Sequence, residues 1–140
     1  MAFERPFTVR FHEVDFARVV FYPNFFEYAH RVFEDFFAAE VGCPYVEMLS
    51  VRNVGYPAVH VEADFKAPLR FGDSGRIAME TAALSRRSAT LRYDFWLGES
   101  RHARVTVVVA SIDLKTFTPV ELPSDVRVAF SRHLTSSAES

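Results

Sequence analysis

The chain has 140 residues, 49% of them hydrophobic and 24% charged, which fits one globular domain and excludes an intrinsically disordered chain. Its net charge of −2, with no basic block, gives no general attraction to nucleic acid or to an anionic membrane, and no partner of either kind is expected. A single cysteine, Cys43, excludes an internal disulfide. With no signal-like start and no apolar run long enough to cross a bilayer, it points to a cytoplasmic protein.

Residues 7–13 read as the first strand, with Phe7, Val9 and Phe11 alternating against Thr8, Arg10 and His12. Residues 14–23 read as a loop. A long helix follows, with Asn24 as N-cap, Glu27 completing a capping box and Pro23 just before. At about 100° per residue, Phe25, Tyr28, Ala29, Val32, Phe33, Phe36 and Phe37 share one broad face. A face that wide implies a helix wrapped by a sheet. Gly42 is the expected C-cap, with Pro44 beyond it.

Residues 45–56 suggest a short helical turn and a loop. Strands are expected at 58–66, 76–84, 90–97 and 103–114, the last a β-branched run read as a buried central strand. Gly72-Asp-Ser-Gly75 marks a turn, and hairpins suffice to join these four strands. Pro123-Ser-Asp125 starts a short final helix ending near His133. The domain is expected to span 1–133 and a disordered polar tail 134–140. The class is α+β: an antiparallel sheet of about five strands around one long central helix. Of the 15 phenylalanines, seven lie from Phe16 to Phe37, more aromatic area than one small sheet covers easily, which favours assembly with further copies.

The segment Phe11-His-Glu-Val-Asp15 through Tyr22-Pro-Asn-Phe25, together with Ala67-Pro-Leu-Arg-Phe-Gly-Asp73 and the order of elements, resembles the 4-hydroxybenzoyl-CoA thioesterase family of hotdog-fold enzymes. The resemblance spans residues 6–125 and implies a hotdog domain that hydrolyses an acyl-CoA thioester. It places Asp15 as nucleophile or general base and the backbone N–H of Tyr22 as donor to the thioester oxygen. A helix start suits the second role, because its amides lack intrahelical acceptors and carry the positive end of the dipole.

The same resemblance implies an active site at a subunit interface, in a homodimer or homotetramer. Arg18 stands where the family usually has glycine, and its guanidinium is a candidate for a substrate carboxylate or for Asp15. His30 stands where the hydroxybenzoyl enzymes carry an aspartate near the ring pocket, so the acyl group is not assumed to be the same. Phe16 and Phe21 are expected to line an acyl tunnel with Tyr22. Arg86, Arg87 and Ser88, in a turn between strands, are expected to meet the CoA nucleotide. Glu13 is the alternative acid. No metal or cofactor is expected, since His12, His60, His102 and His133 lack metal spacing and Cys43 has no neighbouring ligand. A thioesterase acting on a carrier protein, and a non-catalytic acyl-CoA binding module, are the alternative readings.

Overall fold

The computed structural model describes residues 2–135. Strand β1 (Phe3–Thr8) leads through a 3-10 turn (Phe11–Glu13) and a loop to helix α1 (Pro23–Phe36). A π-helical turn (Phe37–Val41) and helix α2 (Tyr45–Ser50) follow. The main sheet then adds β3 (Ala58–Phe65), β4 (Ser74–Leu84), β5 (Ser88–Leu97) and β6 (Ser100–Ala110) after a short β2 (Val54–Gly55). Strands β7 (Ile112–Asp113) and β8 (Thr118–Pro119) and helix α3 (Ser124–Ser131) complete the chain. The main sheet is antiparallel in the order β1-β4-β5-β6-β3, and a smaller sheet has the order β2-β7-β8. The hotdog architecture expected from the sequence is present: α1 lies against the concave face with Phe25, Tyr28, Ala29, Val32, Phe33 and Phe36 buried.

The first strand lies earlier in the chain than its alternation suggests. The inward positions begin at Phe3 and continue through Phe7 to Val9, whereas Phe11 is 76% exposed. The chain turns here because the Glu13 N–H donates to the Arg10 carbonyl at 3.0 Å and the Arg10 N–H donates to Glu13 Oε1 at 2.7 Å. Pro6 is tolerated because β1 is a sheet edge, where a missing N–H costs no ladder bond.

Helix α1 starts two residues earlier than expected. Tyr22 is the N-cap residue and Pro23 occupies the first helical position, where its fixed φ suits a helix and its missing N–H leaves nothing unpaired. Asn24 does not cap. Its side-chain amide donates to the Glu13 carbonyl at 3.0 Å, and Glu27 pairs with Arg31 rather than closing a capping box. The C-terminal end agrees with the sequence: Gly42 takes φ 78°, a left-handed conformation that terminates the π-turn.

Pairing of the later strands corrects two expectations. The run at 103–114 is not the central strand and is not continuous: β6 ends at Ala110, and Ile112–Asp113 join the small sheet, while β5 sits in the middle. Strands β4, β5 and β6 follow as hairpins, but β3 pairs with β6 at the far edge, so residues 66–73 cross the end of the sheet. A β-branched run reports strand preference and not which neighbours it acquires. This crossing segment supports the loop before α1, since the Leu69 carbonyl accepts the Val20 N–H at 2.8 Å and the Gly72 N–H donates to Val9 O at 3.0 Å.

Helix α3 closes the core from the other end. Phe130 stacks on Phe36 with ring centroids 5.4 Å apart, and Thr81 Oγ1 donates to the Phe130 carbonyl at 2.9 Å. Leu134 bridges Thr81, and the Thr135 N–H donates to the Thr81 carbonyl, so order extends past His133. The remainder of the expected tail, residues 136–140, lies outside the described residues. No helix among the described residues is long and apolar enough to cross a membrane.

Gly75 opens β4 against β5, where a Cβ would fall within the envelope of the Trp96 carbonyl and press on Leu97. Gly75→Ala is expected to cost about 1–3 kcal/mol of stability by overpacking, read as a lower urea midpoint at unchanged m-value.

Candidate active site

The loop that follows the 3-10 turn doubles back on itself. Val14 and Val20 form an antiparallel bridge, and the Asp15 N–H donates to the Val19 carbonyl at 3.1 Å. Asp15 caps its own turn: Oδ1 accepts the Ala17 N–H at 2.8 Å and its carbonyl accepts the Arg18 N–H at 2.8 Å. The second carboxylate oxygen, Oδ2, has no partner among the described residues. Asp15 is exposed in the single chain. Arg18 closes the turn at φ 68°, the left-handed region that glycine occupies without strain. The glycine of the resembled family and the arginine here thus answer to the same backbone demand.

The start of α1 leaves one amide over. Pro23 has no N–H. The Asn24 N–H donates to Phe21 O at 2.9 Å and the Phe25 N–H to Tyr22 O at 3.2 Å. The Tyr22 N–H has no acceptor among the described residues, so it is the unpaired donor at the positive end of this 14-residue helix. Tyr22 also lines a cavity of about 310 Å³ between α1 and the end of β3, with Val20, Phe25, Phe65 and Leu69.

Asp15 lines a different, larger cavity of about 680 Å³, with Phe11, Val14, Phe16, Arg18 and Phe71. Phe16 lines the same cavity as Asp15. Phe21 does not: it is half-exposed and packs edge-on against the Tyr22 ring, centroids 5.4 Å apart. Of the three residues expected to line an acyl tunnel, Phe16 lines the Asp15 cavity, Tyr22 lines the cavity at the helix start, and Phe21 lines neither. Phe11 and Phe71 were not anticipated as site residues. Their rings meet at 5.7 Å, yet they come from segments 60 residues apart, and no spacing in the sequence joins them.

His30 lines a third cavity of about 230 Å³, further along the groove between α1 and β3, with Phe26, Phe33, Val61 and Val107. Its Nε2 lies 2.8 Å from Glu34 Oε2. Arg86, Arg87 and Ser88 occupy the β4–β5 turn. There Arg86 pairs with Glu121 at 3.3 Å, the Arg87 carbonyl accepts the Ser111 N–H, and the Ser88 and Ser85 hydroxyls bond at 2.6 Å. This turn and the Asp15 loop stand at opposite ends of β4, whose 11 residues at about 3.3 Å each set them roughly 30 Å apart. Within one chain the turn does not reach a substrate held at Asp15.

Comparison with known proteins bears on what this arrangement does. A family model described as Thioesterase-like superfamily matches residues 9–130. A 1,4-dihydroxy-2-naphthoyl-CoA hydrolase of Synechococcus sp. (strain CC9311) is 31% identical over 127 residues, covering 85% of this chain and 82% of that protein. The solved structure of a gentisyl-coenzyme A thioesterase is 31% identical, with a TM-score of 0.81 over 91% of this chain and 98% of its own. A 1,4-dihydroxy-2-naphthoyl-CoA thioesterase from Synechocystis superposes with a TM-score of 0.85 over 94% of this chain and 96% of its own, at 24% identity, which speaks to the fold alone.

The left-handed backbone at position 18 gives a direct test of the loop. Arg18→Gly is expected to keep stability within about 1 kcal/mol or raise it, whereas Arg18→Val is expected to lose about 1–2 kcal/mol. Thermal unfolding of the two variants checks the sign.

Proposed function

The chain belongs to the thioesterase-like superfamily and is a CoA-thioester hydrolase, and from that premise we propose that Asp15 and the Tyr22 N–H form its reaction centre. The observation that carries this reading is the lone amide at the helix start. With Pro23 donorless and the next two N–H groups engaged, Tyr22 offers a donor that no group among the described residues uses. A thioester carbonyl placed there gains hydrogen-bond and dipole stabilisation as its oxygen becomes negative. Asp15, whose Oδ2 is unpartnered, supplies the attacking oxygen or takes the proton of an attacking water, and the CoA thiolate leaves.

A second copy completes the site in this reading. Strand β3 is an edge of the main sheet, and Val59, Val61 and Phe65 on it are about half-exposed or more. An uncovered apolar edge strand is a ready pairing surface. Antiparallel pairing of two β3 strands reverses the ends of the second sheet. The start of one copy's β3 then lies beside the other's Phe65 and Tyr22. Since Ala58 and Ser88 both stand at the Val109–Ala110 end of β6, the reversal also carries the second copy's Arg86–Arg87 turn and His30 cavity toward the first copy's helix start. Two paired arginines suit the phosphates of CoA, and the His30 cavity suits the far end of the acyl group.

The acyl group we assign is aromatic. The exposed rings of Phe11, Phe16 and Phe71 border the open groove at Asp15, and a space of about 230 Å³ at His30 is ample for one substituted ring, an apolar cavity of about 150 Å³ already being enough for benzene. Both relatives at 31% identity carry aromatic acyl groups in their names.

The test is thiol release from a panel of aromatic and aliphatic acyl-CoA esters, with matched carrier-protein esters beside them. Asp15→Asn is expected to lower kcat by about two orders of magnitude or more with CoA binding retained, and near-normal turnover removes Asp15 from the reaction. Sedimentation is expected to show a dimer or a multiple of it, and a fully active monomer overturns the two-copy site.

A further inference from the structure

We propose that Glu13 is the positioning residue of this active site, holding the Asp15 loop in fixed relation to the start of α1. The inference rests on the reading of Asp15 and Tyr22 above and concerns what keeps them in place.

Glu13 is a carboxylate only 4% exposed, two residues before Asp15. Taking a charged group out of water costs several kcal/mol unless its oxygens are hydrogen-bonded or face an opposite charge. Oε1 accepts the Arg10 N–H at 2.7 Å and the Tyr28 hydroxyl. Oε2 faces Arg31 Nη1 at 3.8 Å and His12 Nε2 at 3.9 Å. The Glu13 carbonyl accepts the Phe21 N–H at 2.9 Å and the Asn24 side-chain amide at 3.0 Å. One residue therefore ties the 3-10 turn, the returning limb of the loop and the first two turns of α1 to a single point.

Asp15 has no such anchor of its own. Its hydrogen bonds go to Ala17, Arg18 and Val19, all inside the same loop. Among the described residues the loop is held to the rest of the fold by the Glu13 cluster, by Val20, which is buried and donates to Leu69 O, and at its exit by the Asn24–Phe21 and Phe25–Tyr22 bonds; of these only the Glu13 cluster lies on the Asp15 side. Burial and the neighbouring Glu13 carboxylate both push the Tyr28 hydroxyl's titration upward, so it stays protonated and keeps donating. The sequence singles out Glu13 as an alternative acid. Its burial, with Oε1 hydrogen-bonded and Oε2 turned toward Arg31 and His12, keeps the carboxylate away from substrate, which favours a supporting role.

Steady-state kinetics on the full-length protein tests this with Glu13→Ala, Glu13→Gln, Tyr28→Phe, Asn24→Ala and Asp15→Asn, and with Val126→Ala as a control. Val126 is fully buried in α3, away from the Asp15 loop, so its truncation lowers stability without touching that loop. Glu13→Ala is expected to lower kcat roughly 10- to 100-fold, the scale of loss for a misplacement of about 1 Å, with KM changed by less than about threefold. Glu13→Gln keeps an oxygen at Oε1 and recovers most of that loss. Val126→Ala at a comparable Tm keeps its kcat.

Equal kcat losses in Glu13→Ala and Val126→Ala overturn the proposal. So does a Glu13→Gln variant as inactive as Glu13→Ala at wild-type Tm, since that makes the charge itself part of the chemistry. If Glu13→Ala fails to fold, Tyr28→Phe and Asn24→Ala decide: each is expected to lose kcat severalfold, and unchanged values overturn the positioning role. Asp15→Asn separates the two readings. Normal turnover there removes the Asp15 assignment, whereas an inactive Asp15→Asn beside a fully active Glu13→Ala removes only the role of Glu13.

Discussion

Burial of the aromatic face of α1 is the constraint from which the rest of the structure follows. Phe25, Tyr28, Val32, Phe33 and Phe36 are nearly inaccessible, and each contributes about 1.5–3 kcal/mol of gross burial energy. Exposed pairs such as Arg31–Glu27 contribute a fraction of that. A face this wide cannot rest on a flat surface, so the sheet curls around it. The rings interlock edge to face, with Phe95 at the centre touching Phe7, Phe25 and Tyr28 at centroid separations between 5.2 and 6.1 Å.

That curl has two consequences for function. It directs the N-terminal end of α1 out of the core, toward the segment crossing from β3 to β4, where an unpaired amide remains accessible. It also leaves β3 as an uncovered edge beside the helix, so the groove holding the Tyr22 and His30 cavities is bounded on one side by protein and on the other by whatever pairs with that edge. Stability and chemistry are therefore divided in space. The core lies along the middle of α1, and the reactive groups lie at its start, in a loop whose shape is set by hydrogen bonds rather than by packing.

The balance between local and long-range forces explains what could be read from residue order. The helix, its Gly42 terminus and the strands at 76–84 and 90–97 are legible because periodic apolar spacing and a glycine at a left-handed position are local signals. The extent of β1 is not legible because a strand edge and a 3-10 turn begin with the same alternation. The bend comes from the Arg10–Glu13 hydrogen bonds, and burial of the Glu13 carboxylate against Tyr28, fifteen residues away, fixes it. Asn24 was misread for a similar reason: its side chain suits a cap, but the Glu13 carbonyl competes for it successfully.

For the candidate site the division is sharper. By itself the sequence determined the fold class, the family resemblance, and the placing of Asp15 and Tyr22 at either end of one loop before the helix. All of these depend on residue type and short spacing. Only the tertiary structure decided that Asn24 turns to the Glu13 carbonyl instead of capping, that Phe11 and Phe71 join Phe16 beside Asp15, and that the Arg86–Arg87 turn lies at the opposite end of the sheet. These are relations between distant segments, set by strand order and by which hydrogen-bond partners remain after the core has formed, and residue order carries no local trace of them.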